Sequence, residues 1–218
     1  MTEIVLMSDP KVAAIPVREC GERLVDVRTD SPLLVDRRKW QDSAGAFGHL
    51  REGVLDRLLD AESRLPQGIR LLFVEGYRPP SLQLRYFDTY AATLRADHPE
   101  WSAEQVRSAA SRYVSPPEIA PHSAGAAVDL TLADADGREL DLGTRMNATP
   151  EESAGACYTH ADGIGEDARA HRDLLGTVLT AAGLVNYPTE WWHWSYGDRY
   201  WALQTGADAA PYGPRELD

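Results

Sequence analysis

The sequence predicts an α+β fold, with helices packed on a small antiparallel sheet in a single domain spanning residues 1–218. Three observations carry this. Helical periodicity dominates the first half of the chain, and strand-like runs gather in the second. Asp136-Gly137 is the strongest hairpin signal, so neighbouring strands are expected to run antiparallel. No repeat or Gly/Ser-rich linker divides the chain, and its length suits one core.

The elements follow in order. Residues 46–65 place Leu50, Val54, Leu58 and Leu65 near helical spacing, and Pro66-Gln67-Gly68 stops that helix. "IRLLFVE" (69–75) is a short apolar run between glycines and reads as a buried strand. Pro79-Pro80 opens a helix, since proline is tolerated in a first turn, and Pro99 ends it. Ser102 with Gln105 forms a capping box for a helix over about 103–113. The proline-rich loop 115–121 leads into His122. "AAVDLTL" (126–132) reads as a strand, "ADADGRE" as its turn and "LDLG" as the return strand. A polar, Gly-rich stretch (143–166) precedes a helix over 167–183, with Gly183 at its C-terminal cap. "LVNY", "WWHWSY" and "RYWAL" read as short strands.

Composition narrows the function. A formal net charge of −12 and a pI of about 4.9 disfavour nucleic acid and anionic membrane surfaces. "DRRKW" (36–40) is too short to be an exception and reads as a solvated loop. The N-terminus lacks a basic segment and a long apolar stretch, and no run approaches the roughly 20 residues of a membrane span. A cytoplasmic protein is expected. Cys20 and Cys157 read as free thiols, with a single bridge as the alternative.

The chemistry concentrates in a few residues. His49 and His171 fall in predicted helices, His98 at a helix end and His160 in a loop, and all four read as structural or surface groups. His122 and His193 differ. A loop delivers His122, Gly125 permits a turn after it, and Asp129 follows inside an apolar strand. Burying that carboxylate is costly unless a cation or hydrogen bonds compensate, and a metal ion would do so. Two imidazoles and one carboxylate form a three-ligand zinc site with one position open, the catalytic pattern. The same donors also take other divalent ions.

Hydrolysis needs a base, and Glu190 in "EWWHWSY" lies three residues before His193. A strand would set the two on opposite faces, so Glu190 is expected at a strand entrance or on a bulge after the Pro188-Thr189 turn. Arg78, in the turn after the strand at 69–75, reads alone as a surface arginine; beside a metal it could stabilise an oxyanion.

Taken together, "EGYRPP" (75–80), "HSAGAAVDLTL" (122–132) and "TEWWHWSYG" (189–197) make the chain resemble the zinc-dependent D-alanyl-D-alanine dipeptidases. More distantly it resembles zinc D,D-carboxypeptidases and hedgehog-like folds. The opening stretch 5–28 is similar in character. The resemblance implies one Zn2+ per chain on His122, Asp129 and His193. It implies Glu190 as the base that later protonates the leaving amine, and Arg78 as the group stabilising the transition state. It also implies a free D,D-dipeptide substrate in a small closed pocket walled by the aromatics, serving wall recycling or precursor depletion.

Two departures from the family pattern stand out. Ala120 replaces a serine two residues before the first histidine, and Asn147 stands where an aspartate resembling an ammonium partner is usual. Asp141, Glu151 or Glu152 could substitute for that aspartate. A carboxypeptidase or amidase acting on another small peptide is the alternative enzyme, and a zinc-bound binding module the non-enzymatic one.

Overall fold

The computed structural model describes residues 4–36 and 45–217. Residues 37–40 of "DRRKW" therefore lie outside the described residues. In chain order the elements are α1 (Pro10–Ala14), β1 (Leu24–Asp26), α2 (Val27–Asp30), β2 (Leu34–Val35), β3 (His49–Arg51), α3 (Glu52–Ser63), β4 (Ile69–Glu75), α4 (Pro80–Asp97) and α5 (Ala103–Ala110). They continue with β5 (Ala127–Asp134), α6 (Glu166–Ala181), β6 (Val185–Asn186), β7 (His193–Ser195) and α7 (Arg199–Thr205). The fold is α+β.

A five-stranded sheet has the order β2-β4-β5-β7-β6, and β1 and β3 form a separate antiparallel pair. Period-two alternation along β5 explains how the sheet is used. Val128, Leu130 and Leu132 join the main core with residues of α3 and α6. Ala127, Asp129 and Thr131, all buried, alternate with them and so take the opposite face. There, Asp129 meets a cavity whose far wall is α4.

Several expectations need correction. The ladder is antiparallel from β4 to β6, but the edge strand β2 pairs with β4 in parallel. Strands and helices also interleave along the chain rather than segregating by half. The helix expected over 46–65 begins only at Glu52. Before it, the Phe47 and His49 carbonyls accept from Gly76 and Tyr77 N–H, while Arg51 N–H donates to Gly125. Those tertiary bonds use the backbone that a helix would have needed.

"LDLG" forms no return strand. One bridge pairs Glu139 with Ala133, and the Asp141 carboxylate then accepts from Gly143 N–H and turns the chain away. "RYWAL" is helical in α7, because Asp198 caps the Tyr200 and Trp201 N–H groups and Gly206 closes the far end. The helix after Ser102 has the expected capping box but stops at Ala110. Cys20 is exposed and Cys157 buried, and both are free thiols. Among the described residues no helix is long and apolar enough to cross a membrane.

Arg51 ties the chain ends to the core. Fully buried, it donates to the carbonyls of Ala124, Glu22 and Gly213 and pairs with the Glu19 carboxylate at 2.9 Å. Arg51→Met leaves those acceptors without their donor and is expected to cost about 3 kcal/mol. Urea unfolding monitored by tryptophan fluorescence checks this; an unchanged midpoint would show that the arginine is not needed.

Candidate active site

Three polar side chains of the site are brought into line by strand register. Glu75, Asp129 and His193 lie in one row across β4, β5 and β7. The register of β4 shifts between Phe73 and Glu75, and that irregularity brings Glu75 opposite Asp129. His122 enters from a short 3-10 turn (Pro121–Ala124) that Gly125, at φ 65°, ends in the left-handed region. The expected turn at Gly125 is present.

The turn is fastened to the loop after β4. Nδ1 of His122 donates to the Gly76 carbonyl at 2.6 Å. Arg78 N–H donates to the His122 carbonyl, and the Ser123 hydroxyl to the Arg78 carbonyl. Since a carbonyl can only accept, Nδ1 of His122 is the donor in that bond, and Nε2 is the ring nitrogen that faces the cluster.

Nε2 of His122 lies 3.2 Å from Nδ1 of His193 and 3.4 Å from Oδ1 of Asp129. Nδ1 of His193 lies 3.0 Å from the same oxygen. Ligands bound at ~2.0–2.1 Å to one tetrahedral ion stand roughly 3.3–3.4 Å apart. The three donors therefore fit a zinc-sized ion with little movement. Its contacts with Asp129 and His122 make Nδ1 of His193 the atom turned to the cluster, and its buried Nε2 has no hydrogen-bond partner among the described residues.

Glu190 reaches the cluster through a turn. Its N–H donates to Tyr187, and its carbonyl accepts from His193 N–H at 3.2 Å, giving two consecutive turns before β7. A turn brings positions i and i+3 together, and the Glu190 carboxylate stands 3.8 Å from the His193 ring. The expected turn at Pro188-Thr189 is present. The strand reading of Trp191 and Trp192 is corrected: both belong to the turn, with β7 starting only at His193. Asn186 clips the turn, donating to the carbonyls of Glu190 and His193.

The tryptophans do not line the cavity. They are buried beneath it, Trp191 and Trp192 edge-to-face at 5.3 Å, and Trp194 donates to the Trp191 carbonyl. Tyr86, Tyr90 and Tyr113 wall the space of about 500 Å³ instead.

Arg78 lines this cavity and is held at two points. Nε donates to Glu75 at 2.8 Å and Nη1 to Gln83 at 2.8 Å, and Gln83 in turn donates to the Ser115 carbonyl. Sequence reasoning missed Glu75, Gln83 and the tyrosines. A signal for Glu75 was present, since it closes an apolar run much as Asp129 interrupts one.

Burial and charge set the protonation states. Burial alone would raise the Asp129 carboxyl, but His122 and His193 overcome it and hold the group well below the usual carboxylate range. Burial, and then the Asp129 charge, push Glu190 well above its ordinary value, with Arg78 opposing. Burial lowers His193 despite its contact with Asp129. Burial works against the Arg78 charge, but Glu75 outweighs it and keeps the guanidinium protonated.

The other histidines lie outside the cavity. His49 starts β3 rather than sitting within a helix, and its ring contacts the Gly45 and Ala46 carbonyls. His98 stacks on Trp101, His160 lies in a turn, and the His171 ring contacts the Asp141 carbonyl. Asn147 lines the cavity with φ 60°, and its carbonyl accepts from the Tyr113 hydroxyl. None of its suggested substitutes lines the cavity. Asp141 holds Gly143, Glu151 holds Tyr90 and Arg112, and Glu152 holds Arg145. Ala120 is buried at the start of the 3-10 turn, without a side-chain cap.

A buried carboxylate and two imidazoles facing a cavity, with a second carboxylate and a guanidinium beside them, are the equipment of a metallopeptidase. The family model described as D-ala-D-ala dipeptidase (Peptidase M15) matches residues 50–208, and the chain belongs to that family. A D-alanyl-D-alanine dipeptidase of Synechocystis is 29% identical over 221 residues, 88% of each chain. One from Enterococcus faecium is 31% identical over 139 residues, covering 61% of this chain and 64% of its own. Among solved structures, a mutant of the vancomycin-resistance D,D-pentapeptidase VanY with Zn(II) aligns over 87% of this chain and 86% of its own. Its sequence identity is 17% and its TM-score 0.48.

Gly76 has no room for a side chain: a Cβ there would stand 2.3 Å from the His49 carbonyl oxygen. Gly76→Ala is expected to displace the acceptor of His122, weaken any binding of a divalent metal ion at the three donors at least tenfold and destabilise the fold by roughly 2 kcal/mol. Competition with a chromogenic chelator and thermal unfolding check both outcomes.

Proposed function

We propose that this chain is a zinc D,D-dipeptidase, one enzyme unit over residues 1–218, that hydrolyses D-Ala-D-Ala or a close relative to free amino acids. The convergence of His122 Nε2, Asp129 Oδ1 and His193 Nδ1 beside Glu190, in a chain of the dipeptidase family, carries the reading. On this reading those three atoms hold zinc. Zinc bound there supplies a Lewis acid that polarises a carbonyl and lowers the pKa of water from about 15.7 to about 7.

The chain's own residues supply the rest. Glu190, whose proton affinity burial has raised, takes the proton of the attacking water as its oxygen bonds to the scissile carbonyl carbon. It then gives that proton to the amine as the C–N bond breaks. Arg78, fixed by Glu75 and Gln83, meets the negative charge that grows on the carbonyl oxygen. Its fixed position means that little reorganisation accompanies the reaction.

Asn147 supports a second reading, hydrolysis of an N-blocked peptide by a carboxypeptidase. An uncharged amide lacks the charge-assisted bond that an aspartate would give an ammonium. Incubation of the zinc-loaded protein with D-Ala-D-Ala, its L,L counterpart and N-acetyl-D-Ala-D-Ala separates the two readings. Alanine release from free D-Ala-D-Ala alone is expected; release from the blocked peptide alone would replace the dipeptidase reading with the second.

Glu190→Ala is expected to keep zinc and lose turnover by on the order of 100- to 10,000-fold. His122→Ala and Asp129→Ala are expected to lose the metal. Full zinc occupancy of either, by elemental analysis, would break the ligand assignment, and near-normal turnover by Glu190→Ala would remove that residue from the mechanism.

A further inference from the structure

The charged side chains lining the cavity are engaged with one exception. Glu75 pairs with Arg78, Asp129 contacts both imidazoles, and Glu190 faces His193. The exception is Arg85 of α4, which lines the cavity from an exposed position and makes no hydrogen bond or ion pair among the described residues.

Helix geometry explains where Arg85 stands. Arg85, Thr89 and Thr93 follow one another at i+4 spacing, and Tyr86 and Tyr90 form the adjacent stripe. All five line the cavity. The Tyr86 ring lies against the Arg78 guanidinium, with its centroid 5.1 Å away. That contact sets the Arg85 stripe beside the hydrolytic groups, with the Thr89 hydroxyl one turn further along.

We propose that Arg85 determines specificity by taking the C-terminal carboxylate of the peptide, with Thr89 beside it; this rests on the peptidase reading above. Every free C-terminal peptide end carries a carboxylate, and a planar guanidinium matches it with two parallel N–H···O bonds. The chain carries a formal net charge of −12, so an anionic group is repelled from most of its surface. Arg85 is the uncommitted cation that offsets this at the cavity. A peptidase that cleaves beside a chain end must recognise that end, and an amide or an internal residue offers Arg85 no charge to bind.

The test uses the zinc-loaded full chain carrying Glu190→Gln, so that ligand is not consumed. It is titrated calorimetrically, with and without Arg85→Ala, against D-Ala-D-Ala, its C-terminal amide and N-acetyl-D-Ala-D-Ala. Arg85→Ala is expected to weaken binding of D-Ala-D-Ala by roughly 10- to 100-fold. The amide is expected to bind the parent weakly and to lose no more than about twofold on the same substitution. Arg85→Lys, which keeps the charge but not the fork, is expected to restore part of the loss. In turnover with Glu190 intact, Arg85→Ala is expected to raise KM and leave kcat within about twofold.

Equal affinity of parent and Arg85→Ala for the free acid overturns the proposal. If only the N-acetyl peptide binds and the Arg85 effect persists, the dipeptidase reading fails while the carboxylate assignment stands. If no peptide with a free carboxylate binds the parent, both fall. Arg85 is exposed and holds no other residue in place, so both variants are expected to fold.

Discussion

A carboxylate in the middle of a hydrophobic sheet must be answered by positive charge or by hydrogen bonds. Asp129 imposes that constraint here, and the neighbouring structure is arranged around it. The register shift in β4 sets Glu75 opposite it on one side, and the β5–β7 pairing sets His193 opposite it on the other. The 3-10 turn after the proline-rich loop brings in His122. Glu75 is itself answered by Arg78, so the row of acids across the sheet draws cationic or cation-binding partners to one face.

The two faces of the sheet divide the work. Large aliphatic and indole side chains fill the face under α3 and α6. They make the turn that carries Glu190 a rigid one, because Trp191 and Trp192 are both locked beneath it. The other face stays open as a cavity bounded by tyrosines and by one stripe of α4. Rigid packing on one side and polar hydroxyls on the other suit a site whose groups must keep their spacing while a ligand comes and goes.

Electrostatically, the two acids nearest the imidazoles are driven apart. Asp129 is held ionised by its two imidazole contacts, whereas Glu190 is pushed towards the neutral form by burial and by Asp129 itself. Two carboxyls of one chemistry thus acquire opposite tendencies, the pattern that separates a ligand from a proton carrier. On the proposed reading, Asp129 binds metal and Glu190 moves the proton.

Much was legible in the sequence because local rules sufficed. The apolar run at 69–75 has no option but a buried strand, the Ser102–Gln105 box marks a helix start, and an acid inside "AAVDLTL" demands a partner. Those rules also singled out His122, Asp129, His193 and Glu190, and the family resemblance added Arg78; the structure brings all five to one cavity. The misreadings occurred where long-range bonds overrule periodicity. Residues 46–51 look helical, but their carbonyls and amides are taken by the loops at 76–77 and 125. "RYWAL" looks like a strand until Asp198 caps it.

Sequence determined which residue types had to meet, since a buried charge cannot stand alone. Tertiary structure alone decided how they meet: by a register shift for Glu75, by a turn for the pair at 190 and 193, and by one stripe of α4 for Arg85. Register, turn closure and helix placement depend on contacts between residues far apart in the chain, and no local spacing encodes them.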